Sequence, residues 1–181
     1  MMRSASRSDN AAVPESGFQR ANAAVGFGLT CGMASPVIRL AESADLLLMS
    51  DLMERALRRH VLKDCSREDS TTLLQGVSPE KLAQNLAAGF TYHVAATSDA
   101  IYGVVGMQPP CDLHHFVVAE VMQRQGLGRK LWYAARDGVC LQHSVPPIFT
   151  VNATQNAAPF YARIGFDIAG GSFPAEATGG D

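Results

Sequence analysis

This sequence lacks three features that would define its class at once: an excess of charge of one sign, a long apolar run and paired cysteines. Its 181 residues carry a net charge of -2 at pH 7, which argues against a broad nucleic-acid-binding surface. No apolar run approaches the roughly 20 residues that cross a bilayer. Cys31, Cys65, Cys111 and Cys140 are scattered, so the sequence indicates neither a zinc site nor a disulfide framework. We therefore expect reduced thiols in a cytoplasmic protein with no bound metal, nucleic acid or membrane partner.

What the sequence does contain is enough apolar material for one core. Hydrophobic residues make up 47% of the chain, which suits a single domain of this length. Residues 1–35 are rich in Ser, Ala, Gly and Asn without a sustained period, so we predict a disordered leader there. The domain is predicted to span 36–169, and 170–181 to be a frayed tail.

Apolar periodicity predicts alternating helices and strands. A polar loop is predicted at 63–76. Strand–helix–strand order between 113 and 151 predicts a parallel pair within a mixed sheet. The other predicted elements are strands at 37–40, 90–96, 101–107, 112–118, 148–152 and 166–169, and helices at 45–61, 79–88, 126–140 and 157–164.

A glycine-containing loop separates the strand at 112–118 from the helix that follows it. Gly126 and Gly128 end a Gln-x-x-Gly-x-Gly pattern. Glycine lets backbone amides approach a ligand, and a helix start adds unpaired N–H groups, so the loop is predicted to bind an anion such as phosphate. A P-loop is excluded because Arg129 and Lys130 follow without a hydroxyl residue, and a dinucleotide fingerprint lacks its third glycine at Leu131. Taken alone, the two glycines could serve turn geometry only.

A second segment, residues 151–166, repeats the order of strand, turn and helix. Asn156 is a suitable N-cap, Pro159 belongs in a first helical turn and Gly165 ends the helix. All of these features could be structural alone.

Together, the two segments resemble the GCN5-related N-acetyltransferase (GNAT) superfamily, through the phosphate loop followed by Asn152, Asn156 and Phe-Tyr-x-x-x-Gly-Phe. The resemblance implies an α/β GNAT acyl-CoA N-acyltransferase fold, a mixed and mostly antiparallel sheet with a central parallel pair of splayed strands flanked by helices. It implies acetyl transfer from acetyl-CoA to a primary amine of a small molecule or peptide by direct attack. A non-catalytic acyl-CoA-binding regulatory module and a homodimer stay open. Residues 170–174 depart from the family by leaving little for its usual seventh strand.

The resemblance also implies cofactor-binding residues. Amides of residues 123–128, with Arg129, would bind the CoA pyrophosphate. Backbone groups of Val117 and Val118 would pair with the pantetheine arm and polarise the acetyl carbonyl. Asn156 would hydrogen-bond the pantetheine, with Asn152 supporting it. The complete implied set is Phe116, Val117, Val118, Gln123, Arg124, Gln125, Gly126, Leu127, Gly128, Arg129, Asn152 and Asn156.

Two catalytic roles follow from the resemblance. Tyr161 occupies the position from which many members protonate the departing thiolate, and the alternative is a hydroxyl that only hydrogen-bonds near the CoA sulfur. The base would lie on the strand at 112–118, on the face of its last valine. Strand alternation predicts that this face carries Asp112, His114, Phe116 and Val118. We favour His114 because imidazole titrates near neutrality, with Glu120 and His115 as alternatives.

Overall fold

A computed structural model describes residues 2–4, 35–141, 148–153 and 157–168. The mixed α/β architecture predicted from the sequence is confirmed within these ranges. In chain order the elements are β1 (Met2–Ser4), β2 (Val37–Leu40), α1 (Leu46–His60), α2 (Arg67–Gly76), α3 (Pro79–Ala87), β3 (Thr91–Ala96), β4 (Ile101–Gln108), β5 (Asp112–Val118), α4 (Leu127–Cys140), β6 (Phe149–Val151), α5 (Ala158–Arg163) and β7 (Asp167–Ile168). The predicted tail at 170–181 lies outside the described residues.

One sheet runs through these elements, with seven strands among the described residues in the order β2-β3-β4-β5-β6-β1-β7. Alternate residues of its central strands enter two separate cores, as strand geometry requires. Val94 and Val104 pack with residues of α1 and α3. Ala95 and Val105 pack with residues of α4 and α5. The sheet therefore lies between α1 and α3 on one side and α4 and α5 on the other.

Helix α4 is held over the sheet by a regular apolar stripe. Leu127, Leu131 and Ala135 are buried at helical spacing. Trp132 packs edge-on against Phe149 of β6, with ring centroids 5.1 Å apart. These contacts fix the start of α4 beside the end of β5.

The strands β5 and β6 are parallel but pair only at one end. Asp112 pairs with Thr150 and Leu113 with Val151, and the Thr150 hydroxyl donates to the Asp112 carboxylate at 2.6 Å. Beyond that point β5 continues to Val118, whereas β6 ends at Val151. The predicted splayed parallel pair is confirmed. It leaves the last part of β5 with an open edge, meaning that no strand among the described residues pairs with it on the β6 side.

A strand from the predicted leader joins this sheet. Met2 pairs with Val151 of β6 and with Ile168 of β7, so β1 lies between those two strands. The prediction that residues 1–35 stand outside the fold is wrong for residues 2–4. A three-residue strand has no readable period, and its partners lie far along the chain. The residues for which a missing seventh strand was expected, 170–174, lie outside the described residues.

The predicted loop at 63–76 is largely a helix. The Ser66 hydroxyl accepts the Asp69 N–H at 3.1 Å and so caps α2. Helix α2 buries none of its residues, and an exposed helix has no apolar period from which it could be recognised. The loop prediction is therefore wrong for residues 67–76.

Candidate active site

The segment between β5 and α4 has the backbone shape of an anion-binding loop. Arg124 has φ of 62° and Gly126 has φ of 82°, both in the left-handed region. Left-handed residues in such a turn direct successive N–H groups towards one concave side. A Cβ built on Gly126 meets no atom within 4 Å. Glycine is therefore needed at 126 for its backbone angle, and the space beside it is open to a ligand.

The amides of residues 124–129 donate to no acceptor in the described part of the chain. The Gln123 amide bonds to the Glu120 carbonyl and the Lys130 amide to the Gly126 carbonyl, and the run of unpaired donors lies between them. Three of these amides begin α4, where N–H groups have no intrahelical partner and the helix dipole is positive. A phosphate-like anion is the ligand that fits such a set of donors.

Positive side chains surround this run of amides. Arg124, Arg129 and Lys130 are exposed, and none forms an ion pair with another described residue. Their charges would add to the attraction for a polyanion.

Two glutamines of the motif hold the loop in shape through their side chains. Gln123 Nε2 donates to the Val118 carbonyl at 2.9 Å, and Gln125 Nε2 donates to the Val121 carbonyl at 2.7 Å. The side chains are thus used within the protein. The Gln125 amide is unpaired among the described residues and could still serve the predicted role. The Gln123 amide is bonded to Glu120, which argues against the role predicted for Gln123.

The second glycine of the motif serves packing as well as binding. A Cβ on Gly128 would lie 3.3 Å from ring carbons of Phe160 on α5. Leu127, the first residue of α4, is buried in the adjacent core. Gly128 therefore lets α5 approach the start of α4 and brings the neighbouring Tyr161 near the loop.

The open edge of β5 presents the backbone of two of the predicted residues. The Ala119 N–H donates to the Tyr102 carbonyl on β4 at 2.8 Å, and backbone groups alternate in direction along a strand. Val117 therefore faces β4, with Val104 as its partner, while Phe116 and Val118 face the gap beside β6. This direction argues against the role predicted for Val117 and supports the roles of Phe116 and Val118.

The far side of the gap is described only in part. Asn152 follows β6 directly and is exposed, which places it at the point where the strands part. Asn156 lies outside the described residues, and its predicted role stays a prediction.

Tyr161 is buried beside the open edge on the α4 and α5 side of the sheet. Its ring lies 6.3 Å from that of Phe116 and 5.6 Å from that of Phe166, measured between centroids. Burial raises the pKa of Tyr161 to about 12. Its hydroxyl is therefore protonated at neutral pH and able to donate a hydrogen bond.

The predicted face of β5 is wrong because the strand contains a bulge. Gly106 pairs with His115 and Met107 with Leu113, so His114 is an extra residue in the ladder. Leu113, Phe116 and Val118 pack on the α4 side. The His114 ring lies 4.4 Å from that of His115 and 5.3 Å from that of Phe90, which packs on the α1 and α3 side. The two imidazoles therefore share the face opposite Tyr161.

His115 belongs to a buried hydrogen-bond chain that the sequence did not reveal. Its Nδ1 lies 3.0 Å from the Tyr92 hydroxyl, which accepts from Asn85 Nδ2 at 3.1 Å. Burial lowers the pKa of His115 to about 4, with a smaller contribution from neighbouring His114. Burial also raises the pKa of Tyr92. His115 is thus a neutral residue at pH 7, whereas His114 is exposed.

The signal for this chain lay in a glycine of β4. A Cβ on Gly106 would overlap the Tyr92 ring, so the glycine makes room for that ring next to His115. Glycine inside a strand is typical of a close approach by another group. Gly106 in the predicted strand at 101–107 was therefore a readable marker, whereas Gly103 makes room for Leu131 of α4 on the other face.

Glu120 is already engaged in ion pairs. Its carboxylate lies 2.5 Å from Arg59 Nε and 3.2 Å from His60 Nε2. These contacts join the end of α1 to the turn after β5. Because both contacts engage this carboxylate on the α1 side of the turn, Glu120 is the weakest of the three candidates.

Acid should destabilise the fold through His115. A histidine whose folded pKa lies below its unfolded value of 6.5 contributes stability above pH 6.5, and this is lost as pH falls towards 4. Linkage gives a loss of about 2 kcal/mol between pH 8 and pH 5. We expect His115→Asn, which keeps a hydrogen-bond acceptor but cannot titrate, to show a pH dependence smaller by that amount in guanidinium denaturation. Equal pH dependence of the two proteins would contradict the assignment.

A split parallel pair beside a loop of unpaired amides defines a class of α/β proteins that bind an anionic ligand at the strand ends. The sequence profile described as the acetyltransferase (GNAT) domain matches residues 61–176. The chain therefore belongs to the GNAT acetyltransferase family, and this membership supports acetyl transfer as its general activity. No curated protein matches the sequence significantly.

Solved structures share the fold at low identity. The PaiA N-acetyltransferase of Thermoplasma acidophilum, in complex with coenzyme A, superposes with a TM-score of 0.61 at 14% identity, over 75% of this chain and 91% of that one. A GCN5-related N-acetyltransferase of Rhodopseudomonas palustris superposes with a TM-score of 0.59 at 20% identity, over 74% of this chain and 82% of that one. A GCN5-related N-acetyltransferase of Ralstonia eutropha superposes with a TM-score of 0.55 at 21% identity, over 76% of this chain and 97% of that one. These similarities show the fold.

Two further findings concern the described residues alone. No described helix is long and apolar enough to cross a membrane. In the same ranges, no group of three or more His, Cys, Asp or Glu residues could hold a metal ion.

Proposed function

We propose that the protein transfers acetyl from acetyl-CoA to a primary amine of a small molecule or peptide by direct attack. The observation that carries this proposal is the run of unpaired amides at residues 124–129, placed at the end of a strand whose edge is open. The amides would hold the pyrophosphate, with Arg129 beside them. Phe116, through its backbone groups, and Val118, through its N–H, would pair with the pantetheine arm, since the Val118 carbonyl already accepts from Gln123. Asn152 would border the arm.

The two faces of β5 would contribute different groups to the reaction. A thioester lying in the gap between β5 and β6 would meet His114 on the α1 and α3 side and Tyr161 on the α5 side. The amine attacks one face of the acetyl carbonyl, and the CoA sulfur leaves from the tetrahedral intermediate, so the base and the donor to the sulfur act at different positions. The bulge at His114 supports the proposal, because it puts this base candidate on the α1 and α3 side of the sheet.

Proton transfer is needed because an alkylamine with a pKa near about 10.4 is mostly protonated at neutral pH. His114 would accept that proton, and the neutral amine nitrogen would attack the acetyl carbon to form a tetrahedral intermediate. As the intermediate collapses, the C–S bond would break, and the second proton of the nitrogen would go through water to the departing CoA thiolate. A free N–H of the β5 edge would hydrogen-bond the developing oxyanion. A general base typically raises the reaction rate by about 10²–10⁴-fold.

Tyr161 is better suited to hydrogen bonding than to proton transfer. A thiol titrates near about 8.5, so moving a proton from a phenol of pKa about 12 to a thiolate costs about 5 kcal/mol. A hydrogen bond to the charged sulfur requires no such transfer, and it stabilises that charge as it develops. Of the two predicted roles, the burial of Tyr161 favours the hydrogen bond.

Tyr161→Phe should lower kcat by about 10- to 100-fold, the value of one hydrogen bond to a charged group, while the Kd for acetyl-CoA changes little. Steady-state kinetics with calorimetry would measure both quantities. Phe166→Leu, a change in the same aromatic cluster, controls for altered packing. Equal turnover of Tyr161→Phe and wild type would remove the residue from the mechanism.

The competing proposal is a non-catalytic acyl-CoA-binding regulatory module. Calorimetry with acetyl-CoA, followed by a thiol-release assay across a panel of primary amines, separates the two. Tight binding with amine-dependent release of CoA supports the enzyme. Binding without release from any amine would favour the module.

The free thiols of Cys65, Cys111 and Cys140 support a reducing compartment, and we propose a cytoplasmic location on that basis. The homodimer stays a prediction.

A further inference from the structure

A buried chain of hydrogen-bonded polar side chains has no role in the reaction proposed above. Asn85 on α3, Tyr92 on β3 and His115 on β5 are joined by hydrogen bonds of 3.1 and 3.0 Å. Asn85 and Tyr92 are 5% and 1% exposed. Three elements thus contribute to one chain, and it ends beside the exposed ring of His114. Buried polar groups of this kind are costly unless each finds its partner, so the chain specifies one arrangement.

The direction of the hydrogen bonds fixes the state of His115. Asn85 Nδ2 can only donate, so the Tyr92 oxygen accepts from it. Were the Tyr92 oxygen to accept from His115 as well, its own buried proton would have no acceptor among the described residues. The Tyr92 proton is therefore directed at His115 Nδ1, which acts as the acceptor. The remaining ring proton of a neutral imidazole is on Nε2.

The charge of His115 matters to its neighbour because the two rings are only 4.4 Å apart. At an effective dielectric of about 20, a proton on one ring would lower the equilibrium constant for protonating the other ring by roughly several-hundred-fold. A base at His114 can accept a proton efficiently only while His115 stays neutral.

We propose that Asn85 and Tyr92 are positioning residues that hold His115 as the neutral Nε2–H tautomer, so that His114 alone of the pair takes the proton of the acceptor amine. This inference rests on the proposed function for its catalytic consequence. The hydrogen-bond arrangement itself does not depend on that function.

The tautomer can be observed without any activity. Long-range ¹H–¹⁵N spectra of the full-length protein, labelled with ¹⁵N-histidine, should show a protonated Nε2 and an unprotonated Nδ1 for His115 at neutral pH. Tyr92→Phe should change that pattern. Tyr102→Phe is the matched control, since it removes a partly buried hydroxyl from the same sheet, and it should leave the pattern unchanged. A protonated Nδ1 in wild type, or an unchanged pattern in Tyr92→Phe, would overturn the proposal.

Kinetics test the consequence for catalysis. Burial still favours neutral His115 in Tyr92→Phe, so this variant should lower kcat by a factor that grows as pH falls from 8 towards 5, where the missing Tyr92 proton no longer opposes protonation of Nδ1. The KM for acetyl-CoA should be unchanged. His115→Asn keeps an acceptor for the Tyr92 hydroxyl and carries no charge, so it should retain kcat within about threefold. In the His115→Asn background, adding Tyr92→Phe should cause no further loss.

These outcomes separate the inference from the proposed function. Loss of all turnover in His115→Asn would make His115 the base and overturn the positioning role. Full turnover in Tyr92→Phe, together with an altered tautomer pattern, would also overturn it. If no amine releases CoA from wild type, the proposed function fails, while the spectra still decide the tautomer.

Discussion

Replacing Gly126 by glutamate should weaken acetyl-CoA binding about a thousandfold. Position 126 has φ of 82°, and no described atom lies where its Cβ would be, so a new side chain would enter the volume in which we propose that the pyrophosphate binds. A carboxylate about 4 Å from a phosphate charge costs about 4 kcal/mol at an effective dielectric of 20, which is three orders of magnitude in Kd. Isothermal titration calorimetry measures the loss directly.

Gly126→Gln provides the matched control for this experiment. Glutamine has the same shape and the same backbone strain as glutamate but no charge. Gly126→Gln should weaken acetyl-CoA binding less than Gly126→Glu does. The ratio of the two Kd values measures the electrostatic part of the loss of affinity. Both variants should keep wild-type circular dichroism. An unchanged acetyl-CoA affinity in folded Gly126→Glu would reject the assignment of this loop to the pyrophosphate.

Replacing His114 by glutamine should lower kcat/KM for the amine about 100-fold at neutral pH, because the variant keeps a polar side chain but cannot accept a proton. The deficit should shrink as pH rises towards the pKa of the amine, since more of the acceptor is then already neutral. A pH profile of kcat/KM for wild type and variant measures both effects. Affinity for acetyl-CoA should be unchanged.

His60→Gln is a suitable control for the base experiment. His60 is an exposed histidine that contacts Glu120 rather than the open edge of β5. It should retain wild-type kcat/KM across the profile. A His114→Gln variant with the activity of wild type at every pH would exclude His114 as the base.

The fold was predictable where local sequence determines local structure. The glycines at 126 and 128 marked the turn between β5 and α4, and their strand–helix–strand context predicted the parallel pair. Helix α3 could be recognised from Ser78 and Pro79, whose cap and first-turn positions are observed. Each of these features depends on residues within a few positions of each other.

The features that escaped prediction depend on partners distant in sequence or on a broken period. Strand β1 exists only through its pairing with β6 and β7. The bulge inserts His114 into the ladder, so that alternation counted from Val118 assigns the wrong face. Tyr92 reads as an ordinary core residue of a strand until Gly106 and His115 are placed beside it.

A crystal structure of the acetyl-CoA complex tests the central claim most directly. The pyrophosphate oxygens should lie within hydrogen-bonding distance of the amides at 125–129. The pantetheine should run along Phe116 and Val118, with the thioester between His114 and Tyr161. A diphosphate bound elsewhere, or a β5 edge that stays closed to the ligand, would contradict the account.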